Sequence, residues 1–394
     1  PSRAAAAPRA RADGGLVRFR LPRPSGPYPV GTVALRLVDT ARPDPWVAAR
    51  PFRELMVSVR YPARDVGGYP FAPHMLPGEA AGWVELNSLW KVPAERVDWA
   101  ATRTHAHEGA PAGVRGGPYP VVLYSPGAGD PRSLGTTLCD DLASRGYVVV
   151  SIDHTYDASA VEFPHHRVEK SVLPAEYDKV KTDQRLITEL LHKTVDVRVA
   201  DTLFVLDVLR DALPRPLRAV ADLGRIGMFG QSGGGFTALQ AMHDDPRIAA
   251  GANFDGVVSY VQDDGDAGNL SSLATDGLDR PFLLVGKDGN TRDSVPSWDA
   301  LWGNSRGWHR GLSLTGAEHA TFTDLEVTVP QLAGPLGLTH DTVVANVGGI
   351  PPADAVAADR AYLAAFFDRW LRGKDDGGLL DGPSDRYPLM TFFS

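Results

Sequence analysis

Residues 225–242 read RIGMFGQSGGGFTALQAM, and the order of residue types in this stretch decides how the chain folds. A β-rich run ends at Gly230, the residues Gln231-Ser232-Gly233-Gly234 follow, and a helical pattern then begins. This is G-x-S-x-G in strand–turn–helix context. A serine on so sharp a turn adopts a strained backbone conformation, and glycines must flank it where side chains would clash. Its hydroxyl then projects above the sheet, and the helix behind it aims a positive N-terminus at negative charge developing there. A Gly-rich loop before a helix can also cradle phosphate, but GQSGGG lacks the P-loop lysine and is not G-x-G-x-x-G. Ser232 is therefore the candidate nucleophile.

Outward from this turn, short β-rich runs alternate with helical patterns, which predicts a mostly parallel central sheet with helices on both faces. The predicted strands are Thr32–Val38, Leu55–Tyr61, Pro120–Ser125, Tyr147–Asp153, Arg225–Gly230, Ala249–Asp255, Pro281–Gly286 and Gly311–Thr315. VVLYS and YVVVSID are near-continuous apolar runs, as expected of central strands buried on both faces. Helices are predicted over Ser133–Arg145, Val195–Leu213, Gly234–His243, Ser297–Gly303 and Ala355–Arg372; in the second, Val199, Leu203, Leu206 and Leu209 form one apolar face. Two stretches, 62–117 and 156–194, break the alternation and read as insertions into one domain spanning 26–372. Residues 1–25 read as a disordered leader and 373–394 as a C-terminal tail. Trp83, Trp90 and Trp99 in the first insertion could form an acyl-binding or interfacial surface, although packing against the body is the commoner fate of such residues.

With 394 residues, 43% hydrophobic and 22% charged, the chain can bury a large core without cross-links. A net charge of -8 and the lack of a basic block exclude the usual nucleic-acid surface. The single cysteine, Cys139, allows no intramolecular disulfide and no thiolate metal cluster; it reads as a buried small residue. No apolar run approaches the roughly 18 residues of a membrane span. The Ala-, Pro- and Arg-rich opening reads as the remnant beyond an export signal, so the expected location is secreted.

The serine turn resembles that of the α/β-hydrolase fold, in which nucleophile, acid and base follow in that order. Four histidines lie beyond Ser232. His243 is about three turns along the nucleophile's own helix, His309 precedes the final predicted strand, and His340 lies far past it. His319, in TGAEHATF, sits just beyond the strand's C-terminal edge and is the candidate base. Asp255 and Asp288 each end a suitable strand and both are candidate acids. The later strand favours Asp288. The bacterial lipase and cutinase pattern there resembles G-x-D-x-D-T, yet GKDGNT puts Asn290 at its second acid, and a neutral amide cannot stabilise an imidazolium as a carboxylate does. That favours Asp255. The oxyanion loop is Tyr124–Asp130; Pro126 has no N–H, so Ala128 is the better donor beside Gly233.

Several segments together resemble the plasma-type platelet-activating factor acetylhydrolase family and its bacterial members. GPYPVGTVAL (26–35) is similar to that family's opening strand, and the unbroken run from YPVVLYSPGAGD through SIDHTYDASA (119–160) matches its oxyanion loop, helix and next strand. TDQRLITELLHKTVDVRVADTLFVLDVL (182–209) looks like its long helix before the nucleophile. IGMFGQSGGGFTALQ, GANFDGVV and EHATFTDL match its three triad segments. The resemblance covers about 25–325. It implies Ser232 as nucleophile, Asp255 as acid, His319 as base, Ala128 and Gly233 as backbone oxyanion donors, and no cofactor or metal. It further implies a short-acyl ester substrate, acetyl or an oxidised stub on a phospholipid, met at a lipid interface. Pro126 and Gln231 stand where the family has histidines, and Gly233 replaces a bulky residue, which bears on pocket shape. A broader lipase or polyester hydrolase and a silent binding fold are the alternatives.

Weaker signals remain. His154 ends a strand at the same sheet edge and could contact substrate or make a structural hydrogen bond. His165 and His166 read as a solvated loop; Asp263, Asp264 and Asp266 as an exposed acidic turn without calcium-loop spacing; and Lys287 as a surface residue.

Overall fold

The computed structural model describes residues 15–394; most of the expected leader, residues 1–14, lies outside them. Among the described residues thirteen strands form: β1 (Val30–Asp39), β2 (Arg53–Pro62), β3 (Phe71–Pro73), β4 (Arg103–Glu108), β5 (Tyr119–Ser125), β6 (Val148–Asp153), β7 (Ala160–Phe163), β8 (Arg167–Lys170), β9 (Ala221–Gln231), β10 (Ile248–Phe254), β11 (Phe282–Gly286), β12 (His309–Leu314) and β13 (Met390–Phe393). Eleven of them make one sheet in the order β13-β12-β11-β10-β9-β5-β6-β2-β1-β4-β3. From β12 to β6 every neighbouring pair is parallel.

Every residue of β5 and of β6 is buried, because helices cover both faces of the sheet. Alternate side chains go to opposite cores. Val121, Leu123, Val150 and Met228 join Val199, Leu206, Phe236 and Leu239 on one face. Val122, Tyr124, Val149 and Phe229 join Leu138, Leu142, Leu363 and Phe367 on the other. The first face is closed by the Gln184–Ala212 and Gly233–Asp244 helices, the second by Thr136–Ser144 and Pro352–Arg372.

Three expectations change. Residues 15–25 are not a loose leader: Val17 bridges Val97, and Phe19 and Leu21 are buried. The long helix starts at Gln184 rather than Val195, where Asp183 caps it by accepting from the Arg185 and Leu186 amides. Its first turns are largely exposed, so they carry little apolar periodicity to read. Residues beyond 373 are not a free tail either, since β13 pairs antiparallel with β12 and Phe393 stacks on Trp298.

In the first insertion Trp83 and Trp99 are buried with Phe19 and Leu325, whereas Trp90 is exposed. Two helices absent from the expected set, Leu325–Leu336 and His340–Val347, pack over this region. The buried Glu326 carboxyl has no hydrogen-bond partner among the described residues. Burial, with Asp359 adding repulsion, pushes its pKa up to about 9 from the ordinary 4.5. A carboxyl kept neutral in the fold stabilises it below the unfolded-state pKa and loses that contribution as pH rises toward about 9. Glu326→Gln should therefore raise the melting temperature by several degrees at pH 8 to 9 and by little at pH 4, in thermal melts across pH.

Candidate active site

Ser232 occupies the turn between β9 and the Gly233–Asp244 helix with φ 56° and ψ −126°, a positive φ that few non-glycine residues adopt. Its neighbours leave no room. A Cβ on Gly230 would lie 2.2 Å from the Gly234 carbonyl, and one on Gly234 would lie 1.9 Å from the Ser125 carbonyl oxygen. The glycines of the motif are thus required by the close approach of β5, and the turn is held by the Ser232 amide donating to the Phe254 carbonyl at 2.8 Å.

That bond joins the turn to the end of β10, where Asp255 also has positive φ (55°) and is 3% exposed. Asn253 shapes this corner by bonding both the Gly256 amide and its carbonyl. Asp255 Oδ2 meets His319 Nδ1 at 2.6 Å, while Oδ1 accepts from the Lys287 amide and Asn290 Nδ2, each at 2.9 Å. His319 opens a short turn, residues 319–322, after β12. Its carbonyl accepts from Gln231 Nε2 at 3.0 Å, so the residue before Ser232 touches the residue that pairs with Asp255.

Burial pulls the His319 pKa down, but the hydrogen bond and charge of Asp255 outweigh it and leave it raised. With Nδ1 engaged by a carboxylate, Nε2 is the nitrogen free to accept a proton. Asp288 is exposed and turned elsewhere, its Oδ2 accepting from the Gly316 amide at 2.9 Å.

Asn290 is more than a missing acid. Its Nδ2 also donates to Asp264 Oδ2 at 3.0 Å, so it bridges two carboxylates, and a carboxylate at 290 would make a third. Asp264, expected in an exposed acidic turn, therefore belongs to the surround of Asp255. Lys287, expected to be a plain surface residue, is half-buried and pairs with Glu318 at 3.3 Å.

On the facing loop, a Cβ on Gly233 would lie 3.4 Å from both Cβ and N of Ala128. The Ala128 amide therefore lies close to Gly233, the residue after the candidate nucleophile. Gly233 does not carry a positive φ, so the bare position is not a backbone requirement; it leaves space above Ala128. Asp130, on the same loop, lies within the field of His319, and burial pushes its pKa up to about 6.

A hydrogen-bonded Ser–His–Asp chain lies buried away from these residues. His154 Nε2 meets Ser125 Oγ at 2.9 Å and Nδ1 meets Asp201 at 3.0 Å. All three side chains are fully buried, and burial lowers the His154 pKa, keeping the ring neutral. No substrate reaches Ser125, whereas Ser232 is partly exposed and the His319 side chain is 48% exposed. The contact made by His154 is structural. Asp201 is in turn gripped by Arg53 at 2.7 Å. Burial pushes the Cys139 thiol up to about 12, so it is no nucleophile. His165 and His166 sit on an exposed turn, with His166 meeting Glu162 at 2.8 Å. Among the described residues no helix is long and apolar enough to cross a membrane.

Comparison with known proteins agrees with this architecture. The family model for platelet-activating factor acetylhydrolase, isoform II, matches residues 16–340. A protein of Arthroderma benhamiae named "Probable 1-alkyl-2-acetylglycerophosphocholine esterase" is 30% identical over 95% of this chain and 94% of its own length. The dog protein named "Platelet-activating factor acetylhydrolase" is 28% identical over 66% of the chain and 61% of its own length. Among solved structures, a ferulic acid esterase of Streptomyces cinnamoneus superposes with a TM-score of 0.77 at 36% identity, covering 95% of this chain and 99% of that one. The chain is an ester hydrolase of the α/β-hydrolase fold and belongs to the platelet-activating factor acetylhydrolase isoform II family.

Proposed function

We propose that the protein is a serine carboxylesterase for short-acyl esters, with Ser232, His319 and Asp255 as its triad. The observation that carries this reading is the 2.6 Å pairing of His319 Nδ1 with Asp255 beside the strained Ser232 turn. His319 Nε2 takes the Ser232 hydroxyl proton as Oγ attacks the ester carbonyl. The resulting oxyanion is held by the amides of Ala128 and Gly233, which develop their full hydrogen bonds only as the charge forms. Asp255 keeps the imidazole in the right tautomer and stabilises its cation. The proton passes from His319 to the departing alcohol, and water attacks the acyl-enzyme with the same histidine as base.

Family membership favours acetyl or another short acyl group on a glycerophospholipid, met as monomer or at a lipid surface. The 36% identity to a ferulic acid esterase favours a second reading, an aromatic acyl group. Turnover on nitrophenyl acetate, butyrate, octanoate and decanoate, alongside methyl ferulate, separates them. The first reading expects kcat/KM to fall at least tenfold beyond about four carbons, with methyl ferulate a poor substrate. A plateau through decanoate would overturn it in favour of a lipase or polyester hydrolase, and a preference for ferulate would establish the second reading.

A further inference from the structure

We propose that Arg198, on the Gln184–Ala212 helix beneath the sheet edge, is the positioning residue that aims the Ala128 amide into the oxyanion site. This rests on the proposed role of Ala128. Arg198 is 1% exposed, and its guanidinium divides its donors between the loop that carries Ala128 and the Asp157 carboxylate. Nη1 donates to the Pro126 carbonyl at 2.7 Å and Nη2 to the Gly127 carbonyl at 2.8 Å. Nε and Nη2 each donate to Asp157 at 2.6 Å, and the same carboxylate accepts from the Gly129 amide at 2.9 Å. The Gly129 carbonyl accepts in turn from the Ser159 amide at 2.8 Å.

The peptide between Gly127 and Ala128 is the decisive one. In a planar trans peptide the carbonyl and the following N–H point in opposite directions. Arg198 draws the Gly127 carbonyl down into the protein, so the Ala128 N–H is turned up and away from it, toward the Gly233 side. Among the described residues no acceptor takes that N–H. The Pro126, Gly127 and Gly129 carbonyls and the Gly129 amide are all engaged, the Gly127 carbonyl also by the Asp130 amide at 3.1 Å, so the Gly127–Ala128 peptide is pinned through its oxygen while its N–H stays free for substrate. A planar fork is needed for this, because one side chain must reach two carbonyls and a carboxylate at once; a lysine is a single point charge and cannot.

The test compares Arg198→Lys, Asp157→Asn and Ala128→Pro, the last of which deletes the N–H itself. Rates are taken per active site, counted from the final extent of fluorophosphonate labelling so that misfolded material drops out. Loss of one oxyanion donor lowers kcat by about 10²–10³. Ala128→Pro is expected to show that loss. Arg198→Lys should show roughly 10- to 100-fold, and Asp157→Asn a smaller loss in the same direction. In all three KM should stay within about threefold, and affinity for a trifluoromethyl ketone, a mimic of the tetrahedral adduct, should fall in step with kcat. Wild-type kcat per site in Arg198→Lys and Asp157→Asn, with Ala128→Pro impaired, would overturn the role of Arg198 alone. Wild-type kcat in Ala128→Pro would instead overturn the assignment of Ala128 on which it rests. A melting temperature lowered without any change in kcat or ketone affinity would mark Arg198 as a purely structural residue and likewise refute the proposal.

Discussion

Replacing Ser232 by alanine is expected to lower kcat by about 10⁶-fold and to abolish labelling by a fluorophosphonate, with little change in the far-ultraviolet circular dichroism. The size of the loss follows from how such groups act. Removing the nucleophile alone costs about as much as removing all three members of a triad, and only oxyanion and binding contributions survive. The fold should tolerate the change, because the hydroxyl makes none of the contacts that hold the turn; those are the Ser232 amide to Phe254 and the glycines packed against β5. Peptide mapping of the labelled wild-type protein adds a sharper check. Ser125, His154 and Asp201 form a hydrogen-bonded chain that is fully buried, whereas Ser232 and His319 are partly exposed. The adduct should lie on Ser232. A label on Ser125, or labelling that persists in the alanine variant, would overturn the assignment.

The second large effect concerns the acid. Asp255→Asn should reduce kcat by about 10⁴, because the amide leaves the imidazole in the wrong tautomer and without a countercharge. Asp288→Asn should stay within a few-fold of wild type, since its carboxyl only ties down the Gly316 amide on an exposed turn. The pH profile supplies an independent readout. His319 must be neutral to act as base, so activity rises as pH passes its pKa. Asp255 is what holds that pKa up against burial. Removing the carboxylate takes away the strongest upward influence on His319, so the acid limb of the residual kcat/KM profile should move to lower pH. An unchanged limb together with full activity would overturn the assignment of Asp255, and loss of activity in Asp288→Asn alone would transfer the role there.

Much of the architecture was legible because buried strands and helices leave periodic signatures. All eight expected strands correspond to β1, β2, β5, β6 and β9–β12. The strands without an expectation, β3, β4, β7, β8 and β13, are three to six residues long and lie at the sheet's edges or in a separate hairpin. RTHAHE buries one face through only Thr104 and Ala106, and RVEK has Val168 as its one apolar side chain, so neither carries the apolar alternation by which a half-buried strand is recognised. The packing of residues 15–25 was hidden for a related reason. Phe19 and Leu21 are two apolar side chains in a Pro- and Arg-rich segment, and their partners Met75, Trp99 and Leu325 lie far along the chain.

The same division runs through the site. The strand–turn–helix around Ser232 is a local event: a few glycines and one serine, each constrained by its immediate neighbours, are enough to call a nucleophile turn from the order of residues. The position of His319 past the last strand is nearly as local. What local order could not decide is which of two aspartates faces the histidine, because both end a strand and direction comes from the third dimension. The register that sets Phe254 beside Val285 puts Asp255 under the Lys287 amide and against His319, while Asp288 leaves the edge of the sheet. Nor could it decide that Asn290 serves Asp255 rather than replaces it, or that Arg198, Asp157, His154 and Asp201 gather beneath one loop. Those contacts join residues from separate strands, turns and a helix, and taken singly each is a charged or polar residue like those on any surface. The amino-acid sequence alone singled out the serine turn and the fold that carries it; only tertiary packing, by burying charges that must then find partners, decided which groups gather around it.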